Sequence, residues 1–244
     1  MRPRAAAAPV VALACILGMA GCTSSDDAAP ENTASAGPDE LRPELGEFTR
    51  LAVTGAIEVT IESGSEAALV VNASADVQPD VEIGVQDGTL TLDAVGIEQF
   101  GEVSATLTVP DNVLDTVEVS SSAIVTSQDT IVADGLEILV GSAGNATLNA
   151  SVDALTLSVD GSSTAELTGE ADTSTVSANA ASFVIMQSFA AGDATVTAEG
   201  ASSVEIAVTG ALVANATGGS TIRYSGAPTS VEQNADASST IEAG

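Results

Sequence analysis

Apolar and polar residues alternate along much of the chain, and the alternation breaks at short intervals. Leu51, Val53, Ala56-Ile57, Val59 and Ile61 keep a near-alternation up to Ser63-Gly64. Leu69-Val70-Val71 opens another run. Val81, Ile83 and Val85 alternate strictly, Asp87-Gly88 follows as a tight-turn pair, and Leu90 and Leu92 resume the pattern. Such a pair between two alternating runs predicts a β-hairpin. Val103, Ala105, Leu107 and Val109 predict one more strand, which Pro110 stops. No stretch sustains the 3.6-residue apolar period of an amphipathic helix, so almost no helix is expected.

From about residue 138 the pattern repeats. Ala146, Ala165, Val184, Val204, Ile222 and Ile241 are separated by 19, 19, 20, 18 and 19 residues. Two positions after each stand Leu148, Leu167, Met186, Ile206, Tyr224 and Ala243. Residues at i and i+2 share one face of a strand. A second file, Ile138, Leu157, Val176, Val196, Val213 and Val231, recurs at 19, 19, 20, 17 and 18 residues. Two positions later come Val140, Val159, Ala178, Ala198, Asn215 and Gln233, so this file is expected to turn polar near its end. Each repeat thus holds two short strands and two corners.

Three adjacent files are almost entirely Gly, Ala or Ser. One is Gly144, Ser163, Ser182, Ser202, Ser220 and Ser239. The position before it holds Ala143, Ser162, Ala181, Ala201, Gly219 and Ser238, and the one before that Ser142, Gly161, Ala180, Gly200, Gly218 and Ala237. A sharp corner excludes larger side chains, and Gly supplies unusual backbone angles. The predicted fold is all-β: a β-solenoid (β-helix) of about 19-residue coils, stacked about 4.8 Å apart and preceded by N-terminal β-hairpin strands. The serines should form a ladder in which each hydroxyl bonds the next. The competing architecture is an antiparallel sandwich, which has no need to hold the same small residues in one register so many times. Outward positions in the stack run Thr147, Glu166, Ile185, Glu205, Arg223 and Glu242, which puts Arg223 between two carboxylates on neighbouring coils.

Residues 1–21 read as a secretory signal: Arg2 and Arg4 precede a short apolar run from Val10 to Leu17. Met19-Ala20-Gly21-Cys22 resembles a bacterial lipobox, with Met19 where Leu is usual. Cys22 is the expected lipidation site and would be the first residue of the mature chain. The apolar run is too short for a good membrane span. Cys15 would leave with the signal, so no thiol would remain for a disulfide. Residues 22–46 carry Ser24-Ser25-Asp26-Asp27, Pro30, Pro38 and Pro43 without an apolar period, and read as a flexible acidic tether. Residues 47–244 are the expected folded domain.

Composition then removes whole chemistries. The chain has 34 Asp plus Glu, 5 Arg, no Lys, no His and no Trp, for a formal charge of −29. Removing Arg2 and Arg4 with the signal takes the mature count to 34 acids against 3 Arg, or −31. Histidine bases, Ser-His-Asp triads, histidine metal sites and lysine Schiff bases are impossible. A phosphate backbone needs a basic face and aromatic platforms, so no nucleic-acid partner is expected. The repeats lack the Gly-Gly-x-Gly-x-Asp pattern of calcium solenoids. No catalytic residue, cofactor or metal is expected.

Several of these segments resemble a known family. They are Phe48-Thr49-Arg50-Leu51-Ala52-Val53, Gly55-Ala56-Ile57-Glu58-Val59-Thr60-Ile61, Asp87-Gly88-Thr89-Leu90 and Glu199-Gly200-Ala201-Ser202-Ser203-Val204. The stretch Gly218-Gly219-Ser220-Thr221-Ile222-Arg223-Tyr224-Ser225-Gly226-Ala227-Pro228 joins them. Together they resemble the head GIN domain family, named for autotransporter adhesin heads, over about Phe48 to Gly244. The Ser-Gly opening of its repeat is altered here, as in Asn179-Ala180-Ala181-Ser182. The resemblance implies a β-solenoid with an exported or surface location.

The expected protein is a non-enzymatic envelope binding or adhesion module, anchored through Cys22 on the extracytoplasmic face of the cell membrane. Its expected partners are the membrane and an envelope polysaccharide or surface protein. The alternatives are an envelope spacer, a partner of another exported protein, and a carbohydrate-active enzyme using paired carboxylates. A polyuronate lyase is disfavoured, because Arg223 is the only cation after Arg50.

Overall fold

Small and β-branched side chains fill narrow spaces between pleated strands, and here they build strands throughout. The computed structural model describes residues 39–97 and 101–244. The strands in chain order begin with β1 (Glu40–Leu41), β2 (Arg50–Gly55), β3 (Glu58–Ser63), β4 (Ala68–Ala73), β5 (Glu82–Gln86) and β6 (Thr89–Ala94). They continue with β7 (Val103–Val109), β8 (Thr116–Ser120), β9 (Ile124–Val140), β10 (Asn145–Val159), β11 (Thr164–Ala178) and β12 (Phe183–Ala198). The last are β13 (Ser203–Val208), β14 (Ala211–Ala216), β15 (Thr221–Gly226), β16 (Ser230–Ala235) and β17 (Thr240–Ala243). Among the described residues the one helical element is a short 3-10 turn, Gln78–Asp80.

From β9 onward every coil pairs parallel with the next, with local register shifts after Thr147, Glu166 and Met186, which excludes the antiparallel sandwich. Ala146, Ala165, Val184, Val204, Ile222 and Ile241 lie directly opposite one another. All but Ile241 are fully buried. The second file follows the expected register through Val196 and then departs from it. Val196 faces Ala214, not Val213, and Ala214 faces Gln233. Likewise Ala198 faces Ala216, and Ala216 faces Ala235. The 17-residue spacing to Val213 was one residue short. Ala214 and Ala216 are both fully buried, so the interior stays apolar at this coil instead of turning polar.

The corners explain the small files. Ser142 and Ala143, Gly161 and Ser162, Ala180 and Ala181, Gly200 and Ala201, and Gly218 and Gly219 each hold two successive residues in the left-handed region. Ser121 and Ser122 do the same, which extends the corner file by one coil beyond its sequence-based start. The second residue of a pair donates its amide to the next coil, as Ala143 N–H does to Gly161 O at 3.0 Å and Ala181 N–H to Gly200 O at 2.9 Å. Within the core, Gly169 stands in register with Phe189, which is fully buried, so a large side chain meets a residue with none.

The N-terminal strands do more than precede the stack; they build its first coils, in an order that differs from chain order. β2 lies between β6 and β8, with Leu51 facing both Leu90 and Val117. β3 lies between β7 and β9, with Val59 facing both Ala105 and Val125. The coil made by β6 and β7 is then covered on its outer edge by antiparallel partners. β5 pairs with β6 through the expected Asp87-Gly88 turn, and β4 pairs with β7. Asp87 and Gly88 have φ of 51° and 76°, as a hairpin turn of this kind requires. β1 adds to β4, and Ala73 N–H donates to Asp39 O at 3.0 Å, so the end of the segment read as tether is pinned to this cap.

Candidate functional site

The buried serines come from the strand entrances, immediately after the left-handed corner pairs. Their hydroxyls bond backbone far more than each other. Ser202 Oγ donates to Glu199 O at 2.7 Å and Ser220 Oγ to Thr217 O at 2.8 Å. Each also accepts the amide of the preceding coil's serine: Ser182 N–H donates to Ser202 Oγ at 3.3 Å, and Ser202 N–H to Ser220 Oγ at 3.2 Å. A hydroxyl-to-hydroxyl contact occurs at Ser182 and Ser202, 3.4 Å apart. The expected ladder is thus a backbone relay, because a carbonyl three residues back lies nearer than the next hydroxyl. These serines are structural and present no nucleophile to solvent. Ser174 is a different case: it is buried in register between Leu155 and Ala194, and its hydroxyl has no partner.

Arg223 lies where the spacing put it. Its guanidinium donates to Glu242 Oε1 at 2.6 Å through Nη2 and at 3.1 Å through Nε, and reaches Glu205 Oε1 at 3.4 Å. The Glu242 carboxylate foremost, then Glu205, raises the arginine above its ordinary value. Gln187 Nε2 donates to the other oxygen of Glu205 at 2.7 Å. An anionic ligand would have to displace these bonds, so the arrangement is a surface clasp across four coils.

Two acidic features stand out. Asp134, Asp153 and Asp172 line one groove with Ser151, Glu170 and Thr209, about 540 Å³ in volume. Its lining is shallow, and among the described residues no group of three or more His, Cys, Asp or Glu is arranged to hold a metal ion. Asp236 sits at the last corner. Gly218 N–H donates to Asp236 Oδ2 at 2.8 Å, and the amide and hydroxyl of Ser238 donate to Oδ1 at 3.0 and 2.8 Å. These donors, Gly218 first, hold the carboxyl well below the usual carboxylate range. At this corner the amide of the second left-handed residue, Gly219, donates to Ser239 Oγ at 3.1 Å, where other corners use a carbonyl.

Apolar side chains are also exposed. Phe183 is 53% exposed and Ile185 37%, side by side on the outward face of β12. The sequence reading counted Ile185 in an outward file yet did not single out Phe183. The signal was available: Phe183 is the position after the buried corner serine, where neighbouring coils carry Thr164 and Ser203. Cys22 and the lipobox lie outside the described residues. Among the described residues no helix is long and apolar enough to cross a membrane.

Parallel coils, buried serine corners and solvent-facing side-chain files define a β-solenoid whose surfaces are sheet faces. The family model described as "Putative auto-transporter adhesin, head GIN domain" matches residues 47–228, and the chain belongs to that family. No curated protein matches the chain. Among solved structures, it is similar to a putative adhesin from Bacteroides fragilis, at 17% identity and a TM-score of 0.78, covering 84% of this chain and 95% of that one. It is also similar to a putative adhesin from Parabacteroides merdae, at 20% identity and 0.67, covering 84% and 95%. A protein from Parabacteroides distasonis titled a putative lipid binding protein matches at 16% identity and 0.68, covering 86% and 98%. At these identities the likeness shows the fold.

Proposed function

We propose that this protein is a non-enzymatic binding module of the cell envelope, anchored by lipid at Cys22 on the extracytoplasmic face. The single observation that carries the reading is the architecture of the surface. Rigid parallel faces hold their outward side chains in fixed files, and the polar groups of the corners are spent on the stack itself. Adhesin-like family membership supports a surface role. The lipobox and the proline-rich acidic segment supply the anchor and the stalk. Two or more acyl chains are needed for stable anchoring, as a lone chain binds marginally.

Two measurements test it. Cells expressing the protein and fed an alkyne fatty acid should label it, and Cys22→Ser should abolish both label and membrane fractionation. Purified protein should bind an envelope fraction and release no sugar from it. An unlabelled, freely secreted wild type would refute the anchor. Sugar release by purified protein would refute the non-enzymatic role.

A further inference from the structure

The outward face of β12 differs from its neighbours on both sides. Where it carries Ala180, Ala181, Phe183 and Ile185, the coil before carries Gly161, Ser162, Thr164 and Glu166, and the coil after carries Gly200, Ala201, Ser203 and Glu205. All four residues on the β12 coil are exposed. They form an apolar band that runs along the coil, around the corner and onto the sheet face. Ala180 and Ala181 hold φ of 53° and 61°, the left-handed region that Gly161, Gly200 and Gly218 serve elsewhere without a side-chain penalty. Methyl groups are thus present at a corner where glycine would be easier.

We propose that this band, bordered by Glu166 and Glu205, docks a protein partner that presents a cationic side chain beside an apolar one. The proposal rests on the binding-module reading and names the partner's chemistry. Charge complementarity selects it. The chain carries a formal −29, so a second copy or a polyanion would be repelled. Arg223 is already held by Glu205 and Glu242, and Glu166 forms no ion pair among the described residues. A cation stacked on Phe183 beside Glu166 would gain from ring and carboxylate together. A glycan is the poorer fit: Ile185 and the two alanine methyls neither donate nor accept hydrogen bonds, and sugar hydroxyls set on them would lose water without replacement. An exposed aromatic and aliphatic pair inside a polar rim is the composition of an interface centre.

The test uses the purified full chain with ¹³C-labelled alanine and isoleucine methyls, in 0.15 M salt. The probe is a twelve-residue peptide of alternating Arg and Leu, with Glu-Leu and Arg-Gly peptides beside it. The Arg-Leu peptide should saturate the protein and shift the methyls of Ala180, Ala181 and Ile185, and the other two should bind weakly. Phe183→Thr with Ile185→Thr keeps every charge and should weaken binding by about tenfold or more. Glu166→Gln, a change at an exposed position that leaves the band intact, should weaken it by several-fold. Equal affinity in the double variant, or shifts spread over the acidic corners, would overturn the proposal in favour of charge alone. Shifts at these methyls from a neutral glycan but not the peptide would also overturn it, as would a dimer in sedimentation that the double variant dissolves. Envelope binding by both wild type and double variant would remove the band and leave the broader reading standing. No envelope binding by wild type would sink the broader reading itself.

Discussion

The amide of Ser182 donates to the hydroxyl of Ser202 one coil further on, at 3.3 Å, in a site closed to water. Ser202 in turn donates to Glu199 O. Ser202→Ala removes these bonds and the 3.4 Å contact with Ser182 Oγ, and leaves the buried Ser182 amide short of its partner. The expected loss is about 1–3 kcal/mol by denaturant unfolding. Ser239, at the exposed last coil, should lose less on the same change, since water can replace it.

Gly169 admits no side chain. A Cβ there would stand 2.0 Å from Ala150 O, at a φ of 113°. Gly169→Ala should cost about 3 kcal/mol or more, because strain and overpacking add. Gly84 has open space where a Cβ would go, so Gly84→Ala should fall within about 1 kcal/mol of wild type. Equal melting temperatures for both variants would refute the coil spacing at Gly169.

Phe189 is fully buried and faces Gly169 in the preceding coil. Phe189→Ala opens a cavity that neither Gly169 nor Ala191 can close, with an expected loss of about 3–5 kcal/mol. Phe183→Ala, on the outward face of the same strand, should leave the melting temperature nearly unchanged.

Asp236 gives the fold an acid-sensitive corner. Its carboxyl is depressed in the folded state by Gly218 N–H and by Ser238 and Ser239, so its contribution is complete above the unfolded carboxylate range. The contribution fades as pH falls through that range toward the folded value. Asp236→Ala should therefore lower the melting temperature at pH 7, and the gap between variant and wild type should narrow from about pH 4 downward. A gap independent of pH would show that the charge is not involved.

Arg223→Met should weaken the last coils only slightly, because exposed ion pairs contribute little. What loss there is should vanish in 1 M salt. A large, salt-independent loss would mean that the aliphatic stem, not the charge, holds Glu205 and Glu242 in place.

The stack was legible wherever a residue type was forced by geometry. Left-handed corners admit Gly, Ala and Ser, so Gly161, Ala180 and Gly200 announced the coil length, and buried Val184 and Val204 announced the register. Register failed at Val213, where Ala214 and Ala216 fill the interior. Valine and alanine are both acceptable inside a narrow coil, so apolar character alone could not choose between adjacent positions. The hydroxyl relay failed because sequence spacing brings serines together without revealing the nearer carbonyls. The band at Phe183 was missed because Ile185 was placed outward by its register and the position two residues before it was not followed along the stack.

The placement of β2 and β3 between strands made later has a consequence for biogenesis. Thr60 meets Thr106 on one side and Thr126 on the other, so this coil is not flanked on both sides until the chain is some 66 residues longer. A repeat array ordinarily zips from wherever it starts. Here β2 and β3 are made first, pair with β6 and β7 on one flank, and gain the second flank only when β8 and β9 follow. Such distant pairing is slow. During that wait the nascent polypeptide is an unguarded edge, and truncation before β9 should yield protein that clumps or is degraded, not a shorter working solenoid.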